Sequence, residues 1–348
     1  LKTIAAVLDK INKPLQIEEL IVPELKNGQV LVKIEYAGLC HSQLNEIMGL
    51  KGDDKFLPHT LGHEGSGVVE KIGPCVEKVK PGDRVVLTWI KGSGADVPGA
   101  QYRRKDGSFV NSGAISTFLT RAVVSENRLV KITDKMPLKE AALLGCAVPT
   151  GAGIIINTAK VSAGSSIAIF GLGGVGLSAL LGAKFASVSV IIAVDVVDSK
   201  LEYAAALGAT HTLNPLKENV VSKILSITGG RGVDFSIESA GKKEAMENAF
   251  QSVCDNAGLC VIAGNLAYGD KISINPFDLI KGKRIIGTWG GETRPDDDIP
   301  RYAEYYLSGK LNIEKLIAYT CGLSDVNKAF IDLTQGKSGR VLLSMAGE

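Results

Sequence analysis

The sequence predicts an α/β protein in which a doubly wound parallel sheet interrupts a β-rich domain. Three observations carry this. Residues 165–200 read as a strand, a glycine turn, a helix and a second strand ending on an acid. Strands then alternate with helical stretches to about residue 290, as successive βαβ units do. Before residue 147, short apolar alternations are separated by Gly and Pro turns, with helical spacing only in brief segments. The expected division is 1–147 with 289–348 as the β-rich domain and 148–288 as the inserted one.

Length and composition permit this and exclude other classes. The chain has 348 residues, 45% of them hydrophobic and 22% charged, enough for two domains with buried cores. A net charge of +2 argues against nucleic-acid and membrane-surface partners. No apolar run approaches the ~20 residues that span a bilayer. The opening LKTIAAVLDK is not a signal peptide, and starting on Leu1 suggests a missing initiator residue. Six irregularly spaced cysteines fit free thiols in a reducing cytoplasm better than a disulfide framework.

In chain order, residues 3–8, 15–20 and 29–38 alternate as strands, with Asn27-Gly28 turning into the third. Residues 42–50 form a short helix. Residues 58–67 (PHTLGHEGSG) are expected to be a loop feeding a strand over 68–73, and 76–86 two strands about Pro81-Gly82-Asp83. A partly open barrel or sandwich is the expected result. Residues 90–113 lack periodicity and read as a long exposed loop. After a further strand pair, 137–146 is a helix ended by Gly145, and 147–159 a helix entering the inserted domain. Helices at 201–209, 218–229, 243–254 and 275–282 then alternate with strands at 209–214, 233–240, 258–265 and 283–290. Helices at 298–311 and 324–336 should pack back on the β-rich domain.

The glycine turn carries the clearest chemistry. Gly171, Gly173, Gly174, Val175 and Gly176 lie between an apolar strand and a helix. Gly171 makes the tight turn, Gly173 admits a pyrophosphate to the backbone, and Gly176 lets the helix pack on the strand. The helix N-terminus offers free N–H groups to the diphosphate. Asp195 ends the next strand, where a carboxylate accepts the ribose hydroxyls and repels a 2′-phosphate. NAD is therefore expected over NADP.

Outside this unit, Cys40-His41, His63-Glu64 and Cys146 are the residues with chemical potential. Cys and His suit zinc, and three protein ligands with an open position make a catalytic site. By residue type alone they stay open between ligands, buried thiols and a hydrogen-bonded histidine.

The motifs AGLCHSQ (37–43), LGHEGSGVVEKIG (61–73), PGDRV (81–85), LLGCAVPTG (143–151), IFGLGGVGLS (169–178), VDVVDSKLEYAAALGAT (194–210) and TQGKSGRVLL (334–343) together decide further. The chain resembles, over nearly its whole length, the zinc-dependent alcohol dehydrogenases of the medium-chain dehydrogenase/reductase superfamily. The resemblance implies a GroES-like catalytic domain interrupted by a Rossmann domain. It implies one catalytic Zn2+ on Cys40, His63 and Cys146, with Glu64 beside it and Arg340 pairing that acid and the cofactor diphosphate. His41 is implied on the pyrophosphate, Ser42 in proton relay, and Lys200 beside Asp195 on the adenosine ribose. Thr150 and Val175 are implied against the nicotinamide, and Trp89 as a wall of the substrate pocket. The implied reaction is reversible hydride transfer between a primary or secondary alcohol and NAD, by a homo-oligomer.

Several positions depart from the family. Residues 90–113 hold no cysteine, so the second, structural zinc is not expected, and Cys75, Cys254, Cys260 and Cys321 read as filler. Arg103, Arg104 and Lys105 in that stretch are either a solvated surface or a greeting for an anionic substrate. Gln43 stands where an aspartate often supports the zinc-ligand histidine, and Asn45 where a histidine often ends the relay. Cys146, where polyol dehydrogenases usually carry Glu, disfavours sugar alcohols. A zinc-free quinone or enoyl reductase lacks the ligand set. A non-catalytic NADH-binding protein tends to lose ligands and relay groups, whereas Ser42 and Glu64 are retained.

Overall fold

The strands of the first 131 residues form where β-branched and polar residues alternate over short runs. The computed structural model describes residues 1–336 and 339–346; Lys337 and Ser338 of the GKSGR motif lie outside them. β1 (Lys2–Leu8), β2 (Gln16–Ile21), β4 (His59–Thr60), β7 (Gln101–Arg103) and β8 (Phe109–Asn111) close into a barrel in the order β1-β2-β7-β8-β4. β3 (Gln29–Gly38), β5 (Glu64–Ile72), β6 (Arg84–Thr88), β9 (Arg121–Ser125) and β10 (Leu129–Lys131) belong to a second sheet. That sheet is completed from the other end of the chain by β17 (Ile317–Gly322) and β18 (Arg340–Ser344), with β18 antiparallel to β3.

Four expectations are corrected here. The barrel is closed rather than partly open, because residues 101–111 form a hairpin inside the stretch expected to be a loop. Tyr102 and Val110 face inward and are fully buried, and the Tyr102 hydroxyl accepts Val123 N–H at 2.7 Å. Only three residues alternate on each side, too few to register beside so many charges. Glu64 and its glycines are strand, not loop. Residues 76–80 are not a strand, because their N–H groups go to side chains: Glu77 and Lys78 to Glu126 Oε1, both at 2.7 Å, and Lys80 to Asp83 Oδ2 at 3.0 Å. Beyond residue 290 the helices Pro295–Leu307 and Val326–Thr334 are present, but β17 and β18 were not anticipated.

The third sheet is wholly parallel. β11 (Ser166–Phe170), β12 (Val190–Val194), β13 (His211–Leu213), β14 (Phe235–Glu238), β15 (Leu259–Ile262) and β16 (Arg284–Gly287) order as β13-β12-β11-β14-β15-β16. The direction of winding reverses between β11 and β14, the crevice where such sheets bind dinucleotides. One continuous core runs from Val86 and Val130 through Leu143, Val148 and Tyr302 to Ile167 and Leu180, joining the second and third sheets. Burial on that scale, at roughly 25 cal/mol per Å² of apolar area, holds the parts that carry the site in one register.

Candidate active site

Cys40 immediately precedes the helix His41–Ile47, His63 immediately precedes β5, and Cys146 separates the turn Ala142–Gly145 from the helix Ala147–Gly153. These three distant segments bring Cys40 Sγ, a His63 ring nitrogen and Cys146 Sγ within 4.8 Å of one another. His63 Nε2 lies 3.3 Å from Cys146 Sγ. Tetrahedral zinc bonded to sulfur and imidazole separates those atoms by about 3.5 Å, so the donor set fits the ion. The Cys146 thiol donates towards Cys40, whose pKa is held well below the usual thiol range with help from Arg340; Cys146 is pushed up in turn.

Glu64, fully buried, sits directly behind. Its Oε1 is 3.0 Å from Arg340 Nε, and its Oε2 accepts Ala147 N–H at 3.0 Å. Burial raises its pKa while Arg340 opposes the rise. Room for the carboxylate comes from Gly38, where a Cβ would lie 2.2 Å from Glu64 Oε1. Arg340 reaches Glu64 because β18 pairs with β3, and its Nη1 donates to the Leu39 carbonyl at 2.7 Å.

Gln43 is buried beside His63 and holds it imperfectly. Its amide oxygen accepts Cys40 N–H at 2.8 Å, leaving its amide nitrogen 2.6 Å from His63 Nδ1. An amide nitrogen only donates, so in this arrangement Nδ1 accepts and the ring proton sits on Nε2. Ligation through Nε2 needs the proton on Nδ1. A carboxylate at 43 accepts both N–H groups at once. Gln43→Glu is therefore expected to tighten zinc about 10- to 100-fold, measured by competition with a chelator.

The dinucleotide crevice is built around Gly171, whose φ of +89° closes the turn against Ala240. A Cβ on Gly176 would lie 1.8 Å from the Gly171 carbonyl oxygen, whereas one on Gly173 would meet nothing within 4 Å. The second glycine thus faces open space, as a pyrophosphate cradle requires. Asp195 Oδ2 accepts Leu172 N–H at 2.7 Å and Oδ1 accepts Val197 N–H at 3.0 Å, with Lys200 Nζ 4.0 Å away. His41 is exposed at the crevice rim, and partial loss of water, with Lys200, Arg340 and Lys242 acting against the Cys40 sulfur, lowers its pKa. Three cations, Lys200, Arg340 and Lys242, thus act on the His41 ring.

Sequence reasoning missed Lys242, Trp289 and Glu238. An acid ending an apolar strand one position across the sheet from the glycine turn was the available signal for Glu238. Its Oε1 accepts Ala240 and Gly241 N–H, each at 2.8 Å, while its Oε2 is buried without a partner. Burial, opposed by those N–H groups, raises its pKa to about 7. The folded form thus holds the proton more tightly than the unfolded chain, and stability falls as pH rises from about 4.5 to about 7. Relative to Glu238→Gln, the wild type should lose up to about 3 kcal/mol between pH 4 and pH 8, read from urea unfolding.

Trp89 meets Trp289 edge-on, with ring centroids 4.9 Å apart. Thr150 is buried with an unpartnered hydroxyl, on a helix whose Gly151 approaches the Val175 carbonyl. Ser42 is half-buried in the first turn after Cys40. Arg104 binds Glu18 and Asp9 and is not a free anion receptor, whereas Lys105, 3.5 Å from Glu19, stays exposed. Arg103 lies over the Phe109 ring.

A thiolate–imidazole metal cluster beside a dinucleotide crevice defines a metal-dependent nicotinamide oxidoreductase. The alcohol dehydrogenase GroES-like domain family matches residues 26–134, and the zinc-binding dehydrogenase family matches residues 174–307. The S-(hydroxymethyl)glutathione dehydrogenase of Komagataella pastoris is 35% identical, over 99% of this chain and 98% of that one. That of Paracoccus denitrificans is 33% identical, over 98% and 99%. The crystal structure of benzyl alcohol dehydrogenase from Acinetobacter calcoaceticus superposes with a TM-score of 0.89 at 33% identity, over 99% and 100%. This chain belongs to the zinc-dependent alcohol dehydrogenases of the medium-chain dehydrogenase/reductase superfamily. It is an oxidoreductase acting on CH–OH groups of small-molecule alcohols with zinc and a nicotinamide dinucleotide. Among the described residues, no single helix is long and apolar enough to cross a membrane.

Proposed function

We propose that the chain oxidises a compact, apolar primary alcohol, aromatic ones included, with NAD, and reduces the aldehyde in reverse. One observation carries the assignment of roles: Arg340 touches both half-sites. It lies 3.0 Å from Glu64 behind the thiolates, and a Cβ on Gly174 would come within 2.8 Å of its guanidinium carbon. Cys40, His63 and Cys146 would hold zinc, which supplies a Lewis acid to the substrate oxygen. Gly171, Gly173, Gly174, Val175, Gly176, Asp195 and Lys200 would hold the dinucleotide, which supplies the hydride acceptor. Ser42 takes the alcohol proton, and His41 with Arg340 seats the diphosphate. Thr150 positions the nicotinamide, and Trp89 bounds the substrate and excludes water.

Two observations support the substrate class. Trp89 and Trp289 offer aromatic walls, and the similar benzyl alcohol dehydrogenase acts, by its name, on such a compound. A glutathione adduct is less well served, since Arg104 is held by Asp9 and Glu18. The proposed domains are 1–147 with 289–348, and 148–288. Edge strand β16, with Phe277 and Ile280 exposed nearby, would pair two subunits. The cytoplasm is the proposed compartment, on six free thiols.

The test is NADH oxidation against a panel of aldehydes, ketones and the S-(hydroxymethyl)glutathione couple, repeated after chelation. Turnover on benzaldehyde-like substrates, lost with zinc and restored by it, is the expected result. Turnover indifferent to the chelator would establish the zinc-free reductase alternative instead. Asp195→Asn should lower kcat/KM with NAD by about tenfold, one charge-assisted hydrogen bond, and narrow the gap to NADP.

A further inference from the structure

A second cluster of metal-ligating side chains lies outside the catalytic one. Glu46, Asp54 and His59 each bring one ligand atom within 4.8 Å of the others. They come from three segments: the helix His41–Ile47, the connection after it, and barrel strand β4. His59 is buried, at 6% exposure, and the Asp54 side chain is 12% exposed.

Their hydrogen bonds fix which ligand atoms meet. His59 Nδ1 is 3.1 Å from the Thr60 carbonyl oxygen, which only accepts, so Nδ1 carries the proton. Nε2 then faces Asp54 Oδ2 at 2.7 Å and Glu46 Oε1 at 3.7 Å. The other oxygen of each carboxylate is already anchored. Asp54 Oδ1 accepts Phe56 N–H at 2.9 Å, and Glu46 Oε2 holds Lys51 Nζ at 3.0 Å. Outer contacts of this kind, a backbone carbonyl on the distal imidazole nitrogen and donors on the distal carboxylate oxygens, orient metal ligands elsewhere. Two carboxylates facing one imidazole nitrogen need a positive charge between them, a proton on Nε2 or a metal ion.

We propose that Glu46, Asp54 and His59 bind a divalent transition cation of the zinc class, one that ties the helix carrying His41 and Ser42 to the barrel. One imidazole nitrogen and two carboxylate oxygens suit zinc, whereas calcium and magnesium select all-oxygen shells. Charge balance is close: the cation offsets both carboxylates, and Lys51 stays outside on Oε2. The competing occupant of the same point is a proton on Nε2.

The experiment is zinc stoichiometry on the full-length protein, stripped, reloaded and desalted, with metal and protein counted together. Two zinc ions per chain are expected in the wild type and one in Asp54→Asn and in Glu46→Gln, with zinc affinity at this site down at least 100-fold. His59→Gln is the third variant, kept if it folds by circular dichroism. Cobalt loading separates the sites, because the thiolate-to-cobalt absorption reports only Cys40 and Cys146. That absorption should be unchanged in Asp54→Asn. Saturation of the wild type at one ion with the thiolate signature overturns this proposal and leaves the catalytic assignment standing. A second ion that persists in both carboxylate variants also overturns it. Loss of the thiolate signature in the wild type would instead overturn the catalytic ligand set.

Discussion

Cys146→Ala is expected to empty the catalytic cluster of zinc and to lower kcat/KM by about 10³- to 10⁴-fold. The Lewis acid stabilises charge on the reacting oxygen by several kcal/mol, and each 1.36 kcal/mol is about tenfold in rate. The structure locates the loss. Cys146 Sγ is 3.3 Å from His63 Nε2, and its thiol is the hydrogen-bond donor that lowers the Cys40 pKa. Alanine removes a ligand and that donor together while leaving the backbone between the turn and the helix unchanged. Metal content, kcat/KM and circular dichroism on one preparation check it. A folded variant that keeps both zinc and turnover would remove Cys146 from the ligand set.

Glu64→Ala is expected to destabilise the protein by about 3–5 kcal/mol, the cost of leaving a buried charge without its partner. Arg340 is 4% exposed and Glu64 is fully buried. Removing the carboxylate takes away the ion-pair partner 3.0 Å from the guanidinium and leaves Ala147 N–H without its 3.0 Å acceptor. Glu64→Gln keeps an acceptor for Ala147 and should cost less. Urea unfolding of both variants measures the difference. Because Arg340 also lies against Gly174, KM for the dinucleotide should rise alongside the stability loss. A loss below about 1 kcal/mol in Glu64→Ala would mean that water reaches Arg340, against the observed burial.

Much of this protein was legible in one dimension because its signals are local. The glycine turn needs a strand before it, a helix after it and an acid at the end of the next strand, all within residues 165–200. Long alternations such as QVLVKIEYAG announce β3 without help from elsewhere. Short elements do not. The hairpin at 101–111 has three residues a side, and β17 alternates only between exposed and half-buried positions. Their strand geometry is imposed by the neighbours they pair with, and propensity has little say.

The site divides the same way. Composition, spacing and the glycine turn determined the class of fold and the cofactor crevice, because a βαβ unit binds a diphosphate with its own backbone. Resemblance supplied the zinc ligands, but only the tertiary structure brought Cys40, His63 and Cys146 to one point from three segments. The folded chain alone set Arg340 between Glu64 and Gly174, 301 residues along from the Leu39 carbonyl it binds. It also gathered Lys242 beside His41 and turned Glu46, Asp54 and His59 towards one another. Sequence specifies contacts that close within a turn or a single unit. Contacts between distant segments depend on sheet register, and that is decided when β18 pairs with β3 and the shared core is buried.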